Sequence, residues 1–494
     1  MENEHHRELL TTAQMYDVDQ ATISAELSSE QLMEAAGGAV VAEIRRNWGS
    51  RPVLVVCGPG NNGGDGFVIA RMLKRAGWPV TVTLLGDKNA LRGDARLNAD
   101  RWDGEILPLS VGALDGAALY VDALFGAGLA RPLEGVALAV ISALAKSDIP
   151  CIAVDVPSGV HGDTGMVLGN AVTADLTVTF FRRKPGHLLM PGRARSGRIV
   201  VANIGISERL LDTIKPQLSA NVVDLWLQKF PWPRAEDHKY TRGHAVIAGG
   251  PTMAGAGRLA SWAARRIGAG LVTVAGSPEV LPQYMVDAPG LLTLPFRTAE
   301  EFSQILSDPR KNAVLIGPGG GASRTTHDIV LSAAQAQKSL VVDADGLTAF
   351  RETPSELFDV LGETNAVLTP HEGEFSRLFK MTGDKLARAR RAAEMANAVV
   401  LLKGADTVIA APNGLAAINT NAPPSLATAG SGDVLAGCIV GLMAQGMPPF
   451  EAACAATWLC GEIATIFGPG LLAEDICQGI PAALTRLLAA VDQS

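Results

Sequence analysis

From residue 50 onward, short apolar runs alternate with longer amphipathic stretches, and the runs end in Gly, Asp or Asn. RPVLVVC (51–57), WPVTVTLL (78–85), AALYVDAL (117–124), IPCIAVDV (149–156) and DLTVTFF (175–181) predict strands buried on both faces. A strand with one face in water would instead alternate apolar and polar residues. DGFVIARMLKRAG (65–77) has apolar residues at helical spacing and closes on Gly, which predicts a crossover helix between the first two strands. Upstream, LLTTAQMYDVDQATI (9–23) and SSEQLMEAAGGAVVAEIRRN (28–47) predict two helices, with Thr11 or Thr12 and Ser28 or Ser29 placed as N-caps. The rhythm breaks near 205–240, where prolines and charges accumulate. It restarts with GHAVIAGG (243–250), AGLVTVAG (269–276), NAVLIGPGGG (312–321), SLVVDADG (339–346), NAVLTPHEGE (365–374), AVVLLKGAD (398–406) and TVIAAP (407–412). The pattern predicts two domains, 1–222 and 223–494. Each is an α/β fold in three layers, α/β/α, around a mostly parallel sheet.

Composition narrows the function classes. Of 494 residues, 48% are apolar, which is enough for two cores and excludes a disordered chain. The net charge of −8 argues against a nucleic acid or an anionic membrane as the main partner, while leaving room for a local phosphate site. The six cysteines show neither C-x-x-C spacing nor a zinc-like His partner, so they are expected as buried thiols of a reducing compartment. The start, MENEHHRELL, lacks the apolar region of a signal peptide. The apolar run VLAGCIVGLMAQGM is too short and too Gly-rich for a membrane span. The expectation is a cytoplasmic protein with no membrane partner.

The chemistry sits where strands end. GPGNNGGDG (58–66) joins the first strand to its helix, and Gly58, Gly60 and Gly63 satisfy G-x-G-x-x-G with Asp87 beyond the next strand. That is the dinucleotide fingerprint, in which glycines let backbone N–H groups approach phosphate. Asn61, Asn62 and Asp65 add polar groups that a plain pyrophosphate loop does not need. The second Gly-rich loop (126–132) follows Asp122, and AVDVPSGV offers Asp155 and Ser158. A lone Asp after a strand is commonly a cap or loop anchor. Here several converge on the carboxyl ends of parallel strands, where ligands bind in such sheets. Asn62, Asp122 and Ser158 are hard oxygen donors, suited to an alkali or alkaline-earth ion. KPGH (184–187) alone reads as a turn. In the second half, GPGGG (317–321), Asp343 and Asp345, His371 with Glu372 and Glu374, and Lys403, Asp406 and Thr407 also follow strands. Gly430, Ser431 and Gly432 then lead into Asp433 at the head of an apolar helix. That arrangement is either a plain helix cap or an anion cradle with a carboxylate base, as phosphoryl transfer requires.

At these residues a family resemblance enters. LMEAAG, GPGNNGGDG, VDALFGAG, DVPSG and KPGH resemble the NAD(P)H-hydrate epimerase (YjeF N-terminal) domain, a Rossmann-like fold. GAGLVTVA, GPGGG, VVDADGL, TPHEGE, KGADT and AGSGDVLAG resemble the ADP-dependent NAD(P)H-hydrate dehydratases, a ribokinase-like fold. Their order is that of the bacterial bifunctional nicotinamide-nucleotide repair enzymes. The resemblance implies that Asn61, Asn62, Gly63, Gly64, Asp65, Gly126, Ala127, Gly128, Leu129, Ala130, Arg131, Pro132 and Asp155 hold the hydrated dinucleotide, with Asp155 catalytic. It implies K⁺ on Asn62, Asp122 and Ser158. In the second domain it implies hydrate contacts from Ala256, Gly319, His371 and Asp433, with Asp433 as base. Nucleotide contacts are implied from Lys403, Gly404, Ala405, Asp406, Thr407 and Gly432, with ADP as Mg²⁺-dependent co-substrate. Met253 stands where the resemblance implies an aromatic residue. The ligands implied are NAD(P)H hydrates and ADP, and association into a homo-oligomer is left open. Two other classes compete: a nicotinamide-dependent oxidoreductase, from the fingerprint, and a kinase of a small alcohol, from G-S-G-D.

Overall fold

A computed structural model describes residues 7–491 except Glu26, Thr252, Asp287 and Glu363. The first six residues of the MENEHHRELL reading and Thr252, the neighbour of Met253, therefore lie outside the described residues. The chain divides into two compact units, Met1–Leu218 and Ser219–Ser494.

The first unit is built on seven strands: β1 (Val53–Cys57), β2 (Val80–Leu84), β3 (Ile106–Pro108), β4 (Leu119–Ala123), β5 (Cys151–Val154), β6 (Leu176–Phe180) and β7 (Arg198–Ala202). Their order is β3-β2-β1-β4-β5-β6-β7 and every pairing is parallel. Residues of β1, β4, β5 and β6 are buried throughout, as continuous apolar runs demand. One face packs on the helices Ser29–Asn47 and Asn61–Arg75, and the other on Gly135–Leu144. Ser28 caps the helix it precedes with a reciprocal box through Gln31. Strand β3, three residues long at the sheet edge, escaped the sequence reading for want of an apolar run, whereas β7, the other edge strand, escaped although residues 199–202 form one. The order of strands reverses between β1 and β4, so the loops leaving these two strands diverge and open a crevice.

The second unit holds β8 (Leu218–Asn221), β9 (His244–Ala248), β10 (Leu271–Gly276), β11 (Leu292–Pro295), β12 (Ala313–Ile316), β13 (Ser339–Val342), β14 (Ala366–Leu368), β15 (Val399–Leu402), β16 (Val408–Ala410) and β17 (Ala416–Asn419). They lie in the order β11-β10-β9-β12-β13-β14-β15-β16-β17-β8. Pairings from β11 to β15 are parallel, and β16 pairs antiparallel with both β15 and β17. Alternate strand residues face a core made with the helices Ala254–Arg266, Ser431–Ala444, Pro449–Phe467 and Ala473–Val491. Their neighbours meet Arg324–Gln335 and Lys385–Ala396. One helix among the described residues, Pro449–Phe467, is by length and composition apolar enough to cross a membrane, in contrast to the expectation from sequence. It is mostly buried in the core of this unit. All six cysteines are free and buried.

Small residues set how closely elements approach. A Cβ on Gly437 would lie 2.3 Å from the carbonyl oxygen of Ala260, so the helix carrying Gly437 rests on the backbone of Ala254–Arg266. Gly437→Ala is expected to push these helices apart and to destabilise the second unit by about 1–3 kcal/mol, the usual range for overpacking. Chemical denaturation of the full chain checks this. A transition unchanged from that of the parent protein refutes it.

Candidate active sites

In the first unit the Gly-rich connection is shorter than its sequence suggests. The helix begins at Asn61, so Gly63, Gly64 and Gly66 belong to its first turns. A Cβ on Gly63 would come 1.9 Å from the Gly58 carbonyl oxygen, and one on Gly64 would come 2.7 Å from the Met33 side chain. These two glycines serve close packing, and neither lines the cleft; nor does Pro132. The remaining residues named from sequence, Asn61, Asn62, Asp65, the stretch Gly126–Arg131 and Asp155, do meet around one cleft of about 690 Å³. That volume suits a dinucleotide fragment. The cleft opens at the β1/β4 reversal. Asp19, Asp94 and Lys184 also line it, and sequence reasoning had not assigned them there.

Asp155 is the most constrained group. Its φ of 66° is left-handed, a costly conformation for a residue with a side chain. Three contacts hold it there. Its N–H donates to the Val178 carbonyl at 2.8 Å, its carbonyl accepts from His187 Nε2 at 2.8 Å, and its Oδ2 accepts from the Ala127 N–H at 3.1 Å. His187 Nδ1 accepts from the Lys184 N–H at 2.9 Å, which leaves the ring proton on Nε2. Burial, then the neighbouring Lys184 charge, lowers the His187 pKa to about 4, so the ring is neutral. Asp155 Oδ1 accepts from Lys184 Nζ at 2.7 Å and from Thr179 Oγ1 at 2.8 Å. Burial works to raise the Asp155 pKa, but Lys184 and the other donors outweigh it and hold the carboxylate near 2. Asp19 is pushed up to about 6 by burial, with Lys184 opposing and Asp155 adding. Asp65 rises well above the usual range, chiefly through burial and then through the charges of Asp155, Asp19 and Asp94.

Below the cleft, Asp122 and Ser158 are fully buried. Ser158 donates to Asp122 through its N–H at 2.7 Å and its Oγ at 2.6 Å, and Ser158 Oγ accepts from the Phe125 N–H at 2.9 Å. Asn62 bridges the Val154 carbonyl and the Gly126 N–H at 3.2 Å each. No Lys, Arg or His among the described residues pairs with Asp122. A buried carboxylate among neutral oxygens fits a monovalent cation. No group of three or more His, Cys, Asp or Glu among the described residues could hold a metal ion.

In the second unit the sheet order reverses between β9 and β12, and the loops leaving them touch there. A Cβ on Gly250 would lie 1.8 Å from the Gly319 oxygen, and a cavity of about 240 Å³ opens beside them. Gly319 has φ 67° and lies against the Met253 backbone; Ala256 is in the first turn of the helix that follows. Asp345 Oδ2 accepts from the Gly321 N–H at 2.9 Å and fixes the GPGGG loop. At the ends of β13 to β15, Lys403 Nζ donates to buried Asp343 Oδ1 at 2.7 Å, and Thr369 Oγ1 donates to the same oxygen at 2.8 Å. A Cβ on Gly432 would have Lys403 Nζ at 3.6 Å, so the ammonium group sits at the head of the helix Ser431–Ala444. Asp433, in the first turn, is raised to about 6 by burial and by the Asp343 charge, against Lys403. A carboxylate titrating near neutrality beside a fixed cation and free helix N–H groups is suited to take a proton while a phosphoryl group is bound.

Three residues read as ligand contacts have structural partners. His371 caps the helix Glu372–Phe379, its Nδ1 accepting from the Gly373 N–H at 2.9 Å, while the side chain stays exposed. Asp406 is buried and accepts from Lys385 Nζ at 2.6 Å. Thr407 Oγ1 donates to the Gly404 carbonyl at 2.8 Å and closes the turn of Lys403–Thr407. Lys385, ahead of β15 on a charged helix, gave no signal in sequence.

Comparison with known proteins decides the family. Residues 29–186 match the model described as YjeF-related protein N-terminus, and residues 244–476 match that described as NAD(P)H-hydrate dehydratase. A bifunctional NAD(P)H-hydrate repair enzyme of Salinibacter ruber is 38% identical, with 96% of this chain and 95% of that protein aligned. Those of Moorella thermoacetica (38%; 97% and 97%) and Escherichia coli (34%; 91% and 88%) agree. The chain belongs to the bifunctional NAD(P)H-hydrate repair enzyme family. Among solved structures, a ribokinase-like superfamily protein of Enterococcus faecalis aligns at 25% identity and TM-score 0.50, over 55% of this chain and 96% of that one.

Lys184→Met tests the electrostatics of the first site. Without the ammonium group, burial is opposed only by His187 and the remaining donors, and the Asp155 pKa should climb from about 2. The stability that this carboxylate contributes is complete above its unfolded value and lost as pH falls toward 2. Removing its cation should cost about 3–5 kcal/mol at neutral pH. Carboxyl-carbon NMR titration reads the shift, and an Asp155 midpoint in the variant as low as the parent's refutes the assignment.

Proposed function

We propose that the first unit interconverts the R and S epimers of hydrated NADH and NADPH. The second unit removes water from the S epimer at the expense of ADP, giving AMP and phosphate. The domain assignment is 1–222 for epimerisation and 223–494 for dehydration. The observation that carries the reading is Asp433, poised near neutrality beside Lys403 at the head of a Gly-x-Gly helix, in a chain whose near full-length relatives carry both units.

In the second unit Asp433 accepts the proton of the C6 hydroxyl as its oxygen attacks the terminal phosphoryl group of ADP. The Gly432 N–H and Lys403 face the phosphoryl oxygens, and the turn Lys403–Thr407, including Gly404, Ala405 and Asp406, holds the nucleotide. Ala256, Gly319 and His371 face the hydrate. The C6–O bond then breaks, its electron pair leaving with phosphate as the nitrogen lone pair forms N=C6, and loss of a C5 proton to water returns that pair to nitrogen and forms the C5=C6 bond of the dihydropyridine ring. Mg²⁺ bound to ADP supplies charge neutralisation for its phosphates. In the first unit Asn61, Asn62, Asp65 and Gly126–Arg131 hold the dinucleotide, with Gly63, Gly64 and Pro132 shaping the backbone beneath. The Asp155 carboxylate, fixed in its charged form, faces the reacting ring. A potassium ion held by Asn62, Asp122 and Ser158 would neutralise Asp122 and brace the loops after β4 and β5. These reactions need no hydride acceptor, and the phosphorylated alcohol does not accumulate, which separates this reading from an oxidoreductase and from a small-alcohol kinase.

Adding ADP to a chromatographically defined R/S hydrate mixture should restore the 340 nm absorbance of the reduced coenzyme and release phosphate. Hydrate left unchanged under every nucleotide tried would refute the reading. Asp433→Asn should abolish S-hydrate dehydration while epimerisation survives, and Asp155→Asn should do the reverse. Loss of both activities in either folded variant would overturn the division of labour. Because Asp433 must be ionised to act, dehydration should rise with pH through about 6. Potassium should raise the thermal midpoint more than lithium does, and Asp122→Asn should erase that difference. Equal effects of both cations on the parent protein would exclude the potassium site.

A further inference from the structure

Epimerisation at C6 requires the hydroxyl group to leave and water to return on the other face. A leaving hydroxyl needs a proton. Asp155 cannot supply one, because both its oxygens accept hydrogen bonds and Lys184 pairs with it at 2.7 Å. His187 cannot either, because its one ring proton is committed to the Asp155 carbonyl. Asp19, on the helix Thr12–Ala25, lines the same cleft as Asp155, Lys184 and Asp65. It is partly exposed, and no hydrogen bond or ion pair among the described residues holds its carboxyl group. Asp65 also lines the cleft but is 9% exposed at the root of its helix, poorly placed to exchange protons with solvent.

We propose that Asp19 is the general acid of the epimerase site. This assignment rests on the epimerase reading of the first unit. The Asp19 carboxyl group gives its proton to the C6 oxygen, the C6–O bond breaks with its electron pair leaving as water, and the ring nitrogen lone pair forms the N=C6 bond of a planar cation. Water adds to the opposite face, forming the new C6–O bond. Its surplus proton returns through cleft water to the Asp19 carboxylate. The ionised Asp155 stabilises the cation between the two steps. The second unit repeats this arrangement on an unrelated site: a Lys–Asp pair at 2.7 Å, a threonine hydroxyl on the same carboxylate oxygen at 2.8 Å, and a further aspartate held apart from the pair. The groups that set the charge state of Asp19 come from the surrounding elements. Lys184 after β6 favours its ionisation, and Asp155 after β5 opposes it. Asp65 and Asp94, on the helices Asn61–Arg75 and Gly93–Arg101, complete the acidic wall.

The test uses the full chain and purified R hydrate, following S-hydrate appearance by chromatography without nucleotide. The parent protein should lose epimerase rate as pH rises through about 6, because the acid must be protonated. Asp19→Asn should lower kcat about 100-fold, leave KM within a factor of three, and remove that pH dependence. Asp19→Glu, which keeps a carboxyl group, should recover most of the rate with a shifted profile, and it also reports folding if the Asn variant is unstable. Parent-like kcat and pH profile in Asp19→Asn would overturn the assignment, as would a profile abolished by Asp65→Asn but not by Asp19→Asn. A parent protein that does not epimerise the hydrate at all would instead refute the reading of the whole site.

Discussion

Both sites depend on one interaction, a buried ammonium–carboxylate pair at the carboxyl edge of a parallel sheet. Lys184 with Asp155 and Lys403 with Asp343 each close to 2.7 Å, and each carboxylate takes a threonine hydroxyl on the same oxygen. Desolvating such a pair is costly, and the pair persists because further donors satisfy it. The consequence lies in the neighbouring carboxyl group. Asp19 and Asp433 share the desolvated surroundings without owning the cation, and both are raised to about 6, chiefly by burial. One device thus fixes one carboxylate as a permanent charge and leaves another able to move a proton near neutrality.

The sheet explains why the device falls where it does. Parallel strands deliver all their carboxyl ends to one edge, and a reversal of strand order parts the loops that leave two adjacent strands. In the first unit the reversal at β1 and β4 brings Asn61 and Gly126 to the cleft, and β5 and β6 bring Asp155 and Thr179 beside them. In the second unit the reversal at β9 and β12 joins Gly250 to Gly319, while β13, β14 and β15 carry Asp343, Thr369 and Lys403. The antiparallel strands β16 and β17 extend the sheet away from this edge and carry none of the groups placed in the site.

The central strands and both strand-end clusters were legible because fully buried parallel strands are written as unbroken apolar runs that stop at Asp, Asn or Gly. What escaped has several causes. Strands β3, β8 and β11 are three or four residues long with no long apolar run, while β7 and the buried β17 were missed although residues 199–202 and 416–418 are apolar. In the fingerprint of Gly58, Gly60 and Gly63, sequence does not tell a glycine that admits a ligand from one that admits another backbone; Gly63, whose Cβ would meet the Gly58 oxygen, is of the second kind. Asp19 sits on an amphipathic helix more than forty residues before the cleft loops it faces. Lys184 was visible in KPGH, yet only the fold brings it to Asp155.

On the roles proposed above, the two units would make opposite use of a similar carboxyl group: dehydration would need Asp433 ionised, to receive a proton as the oxygen attacks phosphorus, and epimerisation would need Asp19 protonated, to let the oxygen go as water. With both groups near 6, the cellular pH range favours the base strongly and leaves the acid a minor protonated fraction. That asymmetry suits the chemistry. Phosphoryl transfer demands an ionised base at the moment of attack, while departure of hydroxide from C6 is already assisted by the ring nitrogen and needs only occasional protonation. Lys184 lies close enough to Asp19 to favour its ionised form, and Asp155 opposes it. Burial is what raises the acid toward neutral pH, and the ion pair beside it only adjusts that rise.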